Sequence, residues 1–287
     1  MKTDNKVLAC VDQSRFSDYV ADYAAWAARR MQAPLELLHV IDRHPEIGNS
    51  KDHSGAIGID AQESLLTELS ERDEAQSKAL REKGRIFLNR LRERAIAAGV
   101  ESPDVRQRHG TLEQTLIEQQ QDVRLFVIGR RGESADVTQR DLGRNVERVV
   151  RALNRPILTV AGEFTQPRRI LLAFDGGAAS RKGLELVASS PLFQGLPVHL
   201  LMSGKVNREA QAQLDRARET LEQAGFQVTA AAVPGDTESV IARTIVEQDI
   251  DMLIMGAYAH SPVRSLLLGS TTNDVLRSAK IPTLLLR

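Results

Sequence analysis

One block of landmarks occurs twice along this chain, in the same order. Short apolar runs, Val7-Leu8-Ala9-Cys10-Val11 and Ile170-Leu171-Leu172-Ala173-Phe174, each end on an aspartate, and these two residues, Asp12 and Asp175, stand 163 positions apart. Ser17 and Ser180 keep that separation, as do Pro34 and Pro197, each of which precedes a second apolar run, Leu35 to Ile41 and Val198 to Met202. Farther on the offset shortens while the order holds. Gly110 and Gly235 lie 125 apart, so the first copy carries 38 extra residues before Gly110, and Gly143 pairs with Gly269 and Pro156 with Pro282 at 126. Between these pairs fall the matching runs Leu125-Phe126-Val127-Ile128-Gly129 and Met252-Leu253-Ile254-Met255-Gly256. An ordered series of this kind marks a duplicated structural unit, and 287 residues suit two units of ordinary domain size.

Each copy reads as β-α-β-α-β-α-β-α-β. Apolar runs of four to eight residues fit strands buried on both faces, and the segments between them have helical spacing, as with Val20, Tyr23, Ala24 and Ala27. Alternating strands and helices predict a parallel sheet with helices on both sides and right-handed crossovers. The expected fold is therefore α/β: two tandem, doubly wound, five-stranded parallel-sheet domains of Rossmann-like type, residues 1–162 and 168–287, joined by the short segment Gly162 to Pro167. The extra residues of the first copy fall mainly in His44 to Ala75, where Gly48, Gly55 and Gly58 predict a mobile loop. About Ala61 to Ala98 then reads as helix, with room for one break and with Leu80, Phe87, Leu88 and Leu91 on one side. Each copy closes on a short apolar segment, Ile157 to Val160 and Thr283 to Leu286. Unpaired apolar edges invite pairing, so the two sheets are expected to meet through these segments as an intramolecular pseudo-dimer, with a larger homodimer allowed but not required.

Composition narrows the function. The 38 basic and 38 acidic residues cancel, which argues against a broad footprint for nucleic acid or an anionic membrane. No run reaches the roughly 18 apolar residues of a membrane span, and no apolar signal core follows Lys2 and Lys6, so the expected compartment is the cytoplasm. Cys10 is the one cysteine, which rules out an intramolecular disulfide or a cysteine-based zinc site and reads as a small buried hydrophobe. Trp26 and Tyr23 read as packing residues. The Walker A, G-x-S-x-G and H-E-x-x-H patterns are all missing, and no pair of carboxylates is placed for metal chemistry. Enzymatic activity, if any, is expected to be a weak ATPase at most.

The informative segment is in the second copy. After Gly256-Ala257-Tyr258-Ala259 come nine residues, His260 to Leu268, and then Gly269-Ser270-Thr271-Thr272, where a helix is predicted to start. Glycine lets backbone approach a phosphate, free N–H groups at a helix start favour an anion, and Ser270, Thr271 and Thr272 add hydroxyls. This is a phosphate cradle in outline. The first copy keeps Gly129-Arg130-Arg131-Gly132, but ten residues precede Gly143, and Arg144 stands where the hydroxyl belongs, either to bind phosphate or to fill the site itself. His109 and His260 fall near the rim of the predicted sites.

The layout Gly, two residues, Gly, nine residues, Gly-Ser resembles the universal stress protein family, twice over and across nearly the whole chain, in its two-domain form. The resemblance implies an adenine nucleotide α-hydrolase-like fold and a stress-response module that binds ATP or a related nucleotide (AMP or ADP, with Mg2+ if ATP) and acts on protein partners not identified by sequence. It further implies that the acidic residue after the first strand, Asp12 or Asp175, lies near the adenine. The residues closing the second strand, Val40 and Ser203, would line the site together with Met255, Gly256, Ala259, Gly269 and Ser270 to Thr272. Ala259 departs from the family's middle glycine while the spacing stays intact. Nucleotide is therefore expected mainly in the second copy. The alternative is a stress protein that binds no nucleotide and works through protein contacts or another small ligand.

Overall fold

The computed structural model describes residues 6–41, 59–131, 144–205, 207–257 and 270–287; of 59–77, 144–145 and 270–271 it describes the backbone alone. The first half runs β1 (Lys6–Val11), α1 (Ser17–Met31), β2 (Leu35–Ile41), α2 (Ile59–Ala97), β3 (Asp104–His109), α3 (Leu112–Gln119), β4 (Val123–Gly129), α4 (Arg144–Ala152) and β5 (Ile157–Val160). The second runs β6 (Ile170–Ala173), α5 (Ala178–Ser189), β7 (Val198–Ser203), α6 (Arg208–Gln223), β8 (Val228–Val233), α7 (Thr237–Glu247), β9 (Met252–Gly256), α8 (Ser270–Ser278) and β10 (Thr283–Leu286).

Local chemistry places the helix ends. Asn207 and Asp236 each accept a hydrogen bond from a backbone N–H of the first turn, Ala210 at 2.7 Å and Ser239 at 3.0 Å, and so cap α6 and α7. At the other end of α1, Gln32 turns left-handed (φ 48°) and its N–H closes on the Arg29 carbonyl, which stops the helix before Pro34.

All ten strands form one sheet, ordered β3-β2-β1-β4-β5-β10-β9-β6-β7-β8. Within each half every pairing is parallel. The halves join where β5 meets β10 antiparallel, with Thr159 opposite Thr283 and Leu158 opposite Leu284. Strands of the two halves therefore run in opposite directions, and their carboxyl ends lie along opposite edges of one sheet. In each half the order reverses beside the first strand, between β1 and β4 and between β6 and β9, the topological switch point of a doubly wound sheet.

Two apolar layers cover the sheet. On one face Val20, Leu91, Leu184 and Leu221 pack on Val7, Leu158, Ile170 and Leu284. On the other, Leu116, Val149, Val240 and Val275 pack on Phe126, Ile157, Leu253 and Leu285. Both layers cross the β5–β10 junction without a break, so residues of the two halves share the same core. Each fully buried leucine contributes about 1.5–3 kcal/mol relative to exposure. The connecting segment is pinned as well. Tyr23, buried in α1, receives the Thr165 N–H on its hydroxyl at 3.2 Å, and its ring meets Phe164 edge-on at 4.9 Å.

α2 differs from the sequence reading in two ways. It is one continuous helix, Ile59–Ala97, with Gly84 inside it. Leu80 is exposed at 39% while Leu88 and Leu91 are buried. The reason is length. A helix of 39 residues rises about 58 Å, far more than a six-residue strand covers, and the described side chains of α2 that are buried in the core are those of its later turns, Leu88, Leu91 and Ala95. There Arg90 and Arg94 pair with Asp18 and Asp22 of α1, each at 2.7 Å. The loop expected around Gly48, Gly55 and Gly58 lies outside the described residues. Cys10 is partly buried beside the second apolar layer, and burial, with Glu36 nearby, pushes its thiol far above the ordinary range. Trp26 is buried, as a packing residue should be. Among the described residues no helix is long and apolar enough to cross a membrane.

Candidate functional site

The switch point of the second half is built from four chain segments. β6 ends at Ala173, and the chain then turns through Asp175 into α5. The Asp175 carboxylate accepts the Gly177 N–H at 2.8 Å and the Ser180 hydroxyl at 2.6 Å, both on Oδ1. Gly176 sits at φ 72°, a left-handed backbone conformation that favours glycine there. The turn leaves Asp175 exposed at the carboxyl edge of the sheet. Beside it β9 ends at Gly256. An added Cβ at Gly256 would come 2.9 Å from the Ala179 Cβ, so this glycine lets β9 close on the start of α5.

The other members occupy the same edge. Ser203 ends β7, and its hydroxyl donates to Thr237 Oγ1 at 3.0 Å, tying the strand to the first residue of α7. α8 starts at Ser270 and lies between the parallel strands β9 and β10, so it runs back along them. Its amino end, which carries the partial positive charge of a helix start, stands at the edge where Asp175, Ser203 and Gly256 converge. Met255 is buried and its side chain belongs to the apolar layer under α7 and α8. Thr272 is buried in the first turn of α8. Tyr258, Ala259, His260 and Gly269 lie outside the described residues, as do the side chains of Ser270 and Thr271.

The first half repeats the frame. Asp12 Oδ1 accepts the Ser14 N–H at 3.1 Å, and the Asp12 N–H donates to Ser17 Oγ at 2.9 Å. Ser17 and Ser180, paired in the sequence without a stated role, are thus the residues that lock the two aspartate turns. Val40, in β2, is partly buried. α4 begins at Arg144, whose side chain is outside the described residues. His109 ends β3, two strands from β1, where it lines a shallow cleft with Lys78, Arg81, Arg85 and Gln107 and stands apart from Asp12.

Arg130 was missed by the sequence reading as anything but part of a glycine loop. It follows Gly129 at the end of β4, is 3% exposed, and turns into the junction between the halves. Its Nε donates to Thr159 Oγ1 at 3.1 Å. One terminal nitrogen donates to the carbonyls of Leu276 (2.9 Å) and Ala279, and the other to the Ile281 carbonyl (2.7 Å) and Thr283 Oγ1. Burial lowers its pKa to about 10, so it stays cationic at neutral pH. A buried cation is tolerated here because the carbonyls closing α8 satisfy it and carry the partial negative charge of a helix end. Four of its five partners belong to the second half, a destination that no local pattern around Gly129 encodes.

Fold and site together define a tandem α/β protein in which each half carries a topological switch point at its own sheet edge and a loop arginine of the first half serves as a structural clamp. The model of the universal stress protein family matches residues 5–161 and again 201–287. The chain belongs to the universal stress protein family. It is 35% identical over 284 residues to a universal stress protein of Synechocystis sp., across 98% of this chain and 99% of that one. Among solved structures it is similar to a universal stress protein from Archaeoglobus fulgidus, with a TM-score of 0.69 at 19% identity over 99% of this chain and 96% of that chain. A protein of unknown function from Pseudomonas aeruginosa PAO1 gives 0.60 at 17% identity over 99% and 93%. At those identities the two structures attest the fold.

Proposed function

We propose that this protein is a stress-response module that binds ATP or a related adenine nucleotide, AMP or ADP, chiefly in the crevice between β6 and β9, and alters its contacts with protein partners when occupied. The observation carrying this reading is the convergence of Asp175, Ser203 and Gly256 with the amino end of α8 at a topological switch point, where doubly wound sheets bind ligands. In the proposed mode the second Asp175 oxygen faces the adenine side. Ser203 and Gly256, with the backbone of Met255, line the crevice, and Ala259, Gly269, Ser270, Thr271 and Thr272 take the phosphate at the start of α8. Mg2+ would enter with the phosphates of ATP; among the described residues no three His, Cys, Asp or Glu side chains gather to hold a metal. The module works in the cytoplasm, and its units are residues 1–162 and 168–287.

The first half is proposed to bind nucleotide weakly or not at all. Arg130 is committed to the junction, and Arg144 replaces the hydroxyl residue at the start of α4. Mass spectrometry of the small molecules released from purified protein, followed by calorimetric titration with AMP, ADP and ATP, tests the function directly. Release of an adenine nucleotide and a saturable isotherm are expected. An empty protein that takes up none of the three refutes the reading.

A further inference from the structure

α8 is a helix of nine residues whose two ends face different tasks. Its amino end is the phosphate end of the proposed site. Its carboxyl end is held by a residue of the other half, since Arg130 binds the carbonyls of Leu276, Ala279 and Ile281 at the close of the helix and in the turn into β10. The last carbonyls of a helix have no partner within it, and a planar guanidinium can satisfy several at once in a fixed orientation. Among the described residues the clamp has no counterpart. The residue after Gly256 is Ala257, which is buried, and its backbone N–H bonds to the Leu286 carbonyl just as that of Arg130 bonds to Val160. The backbones match at the two positions, yet of these two residues only Arg130 sends an arm across the junction.

A helix of nine residues is about 13 Å long and too short to be stable by itself; tertiary contacts fix where it stands. Val275 and Leu276 fix one side by packing in the apolar layer. Arg130 fixes the axial position, because hydrogen bonds to the terminal carbonyls resist sliding and fraying in a way that apolar contacts do not.

We propose that Arg130 is a positioning residue for the phosphate end of the second half: by anchoring the carboxyl end of α8 from the loop after β4, it holds the amino end of that helix where an adenine nucleotide meets it. The ligand in this statement rests on the function proposed above; the anchoring of α8 does not. With Arg130 in place the ligand meets a helix already set. Without it, binding must also order the helix, and affinity falls by the fraction of time that the helix is misplaced. The arrangement links the motif loop of one half to the site of the other across the sheet.

The test uses the full chain and three variants, Arg130→Ala, Arg130→Lys and Arg30→Ala. Arg30 supplies a control. It also crosses between halves, from α1 to the Leu192 carbonyl at 3.0 Å and to that of Gln194, but these acceptors lie in the turn after α5 and not in α8. AMP titration by calorimetry should give a Kd about tenfold weaker in Arg130→Ala, a difference of about 1.4 kcal/mol. Arg130→Lys, which keeps the charge, should recover part of the loss, and Arg30→Ala should stay near wild type. Hydrogen exchange along Ser270–Ser278 should quicken in Arg130→Ala and not in Arg30→Ala. Unchanged affinity in Arg130→Ala, or an equal loss in Arg30→Ala, overturns the proposal. Should the wild-type chain take up no adenine nucleotide, the proposed function fails by itself and exchange decides the anchoring: unchanged rates across α8 in Arg130→Ala and Arg130→Lys overturn that too.

Discussion

Replacing Leu284 by alanine tests whether the ten strands unfold as one body. Leu284 is 1% exposed and sits opposite Leu158, itself fully buried, in the antiparallel pairing that joins the halves. Truncating such a leucine removes its transfer energy and leaves a cavity, a loss of about 3 kcal/mol. The consequence for melting depends on the size of the cooperative unit. If the whole chain unfolds together, its unfolding entropy is about 0.6 kcal/mol/K, and the melting temperature falls by about 5 °C. If the second half unfolds alone, the entropy of about 120 residues is about 0.25 kcal/mol/K, and that half falls by about 12 °C. The single tryptophan separates these cases, because Trp26 is buried in α1 of the first half. Its fluorescence reports unfolding of the half that does not contain the mutation, while far-ultraviolet circular dichroism reports both. The shared apolar layers predict that the two signals move together by the smaller amount. A Trp26 transition that stays in place while the dichroism transition drops would refute a continuous cooperative sheet.

Three further outcomes are expected. Ser270→Arg should abolish adenine nucleotide binding by filling the phosphate end of α8, and calorimetry showing wild-type affinity would refute the assignment of that site. Titration of the wild-type chain should saturate at one nucleotide per chain; two equal sites would contradict the proposed loss in the first half. His199 is buried in β7 beside Thr229 Oγ1 at 2.8 Å, and burial, aided by Arg169, holds its pKa below the ordinary 6.5. A histidine that gains its proton more readily when unfolded favours unfolding as pH falls. The His199 contribution should be constant well above pH 6.5 and should weaken the fold as pH drops through that value. Urea midpoints measured across that range should slope less in His199→Asn than in wild type, and identical slopes would show that His199 does not carry the effect.

Much of the frame was legible because it is written locally and twice. β2, β5 and β10 begin and end where their apolar runs do, since a run buried on both faces has no other place to go. The offset between Ser17 and Ser180 also carried meaning: each closes an aspartate turn five residues back. What escaped depends on distance along the chain. Arg130 looks like any residue of a glycine loop until Leu276, 146 positions later, is brought beside it. The Ser203 hydroxyl is spent on Thr237 because β7 ends beside the start of α7, which no spacing announces. Leu80 fitted the apolar stripe of α2 by period alone, but period says which side of a helix is apolar and not how far the sheet beneath it extends.

The junction between β5 and β10 also bears on how the halves can differ. Two identical chains paired through a twofold axis must present the same residue at both ends of their shared interface. A substitution that suits one end is imposed on the other. Covalent linkage removes that constraint. Here one end of the junction carries Arg130 and the matching position carries Ala257, one helix opens with Arg144 and its counterpart with Ser270. A symmetric pair could hold neither contrast. The contrast gives the junction a direction: Arg130 ties the end of β4 to α8, and the alanine methyl at position 257 is too short to do the same for α4. The joined sheet keeps the geometry of a dimer while giving up its equality.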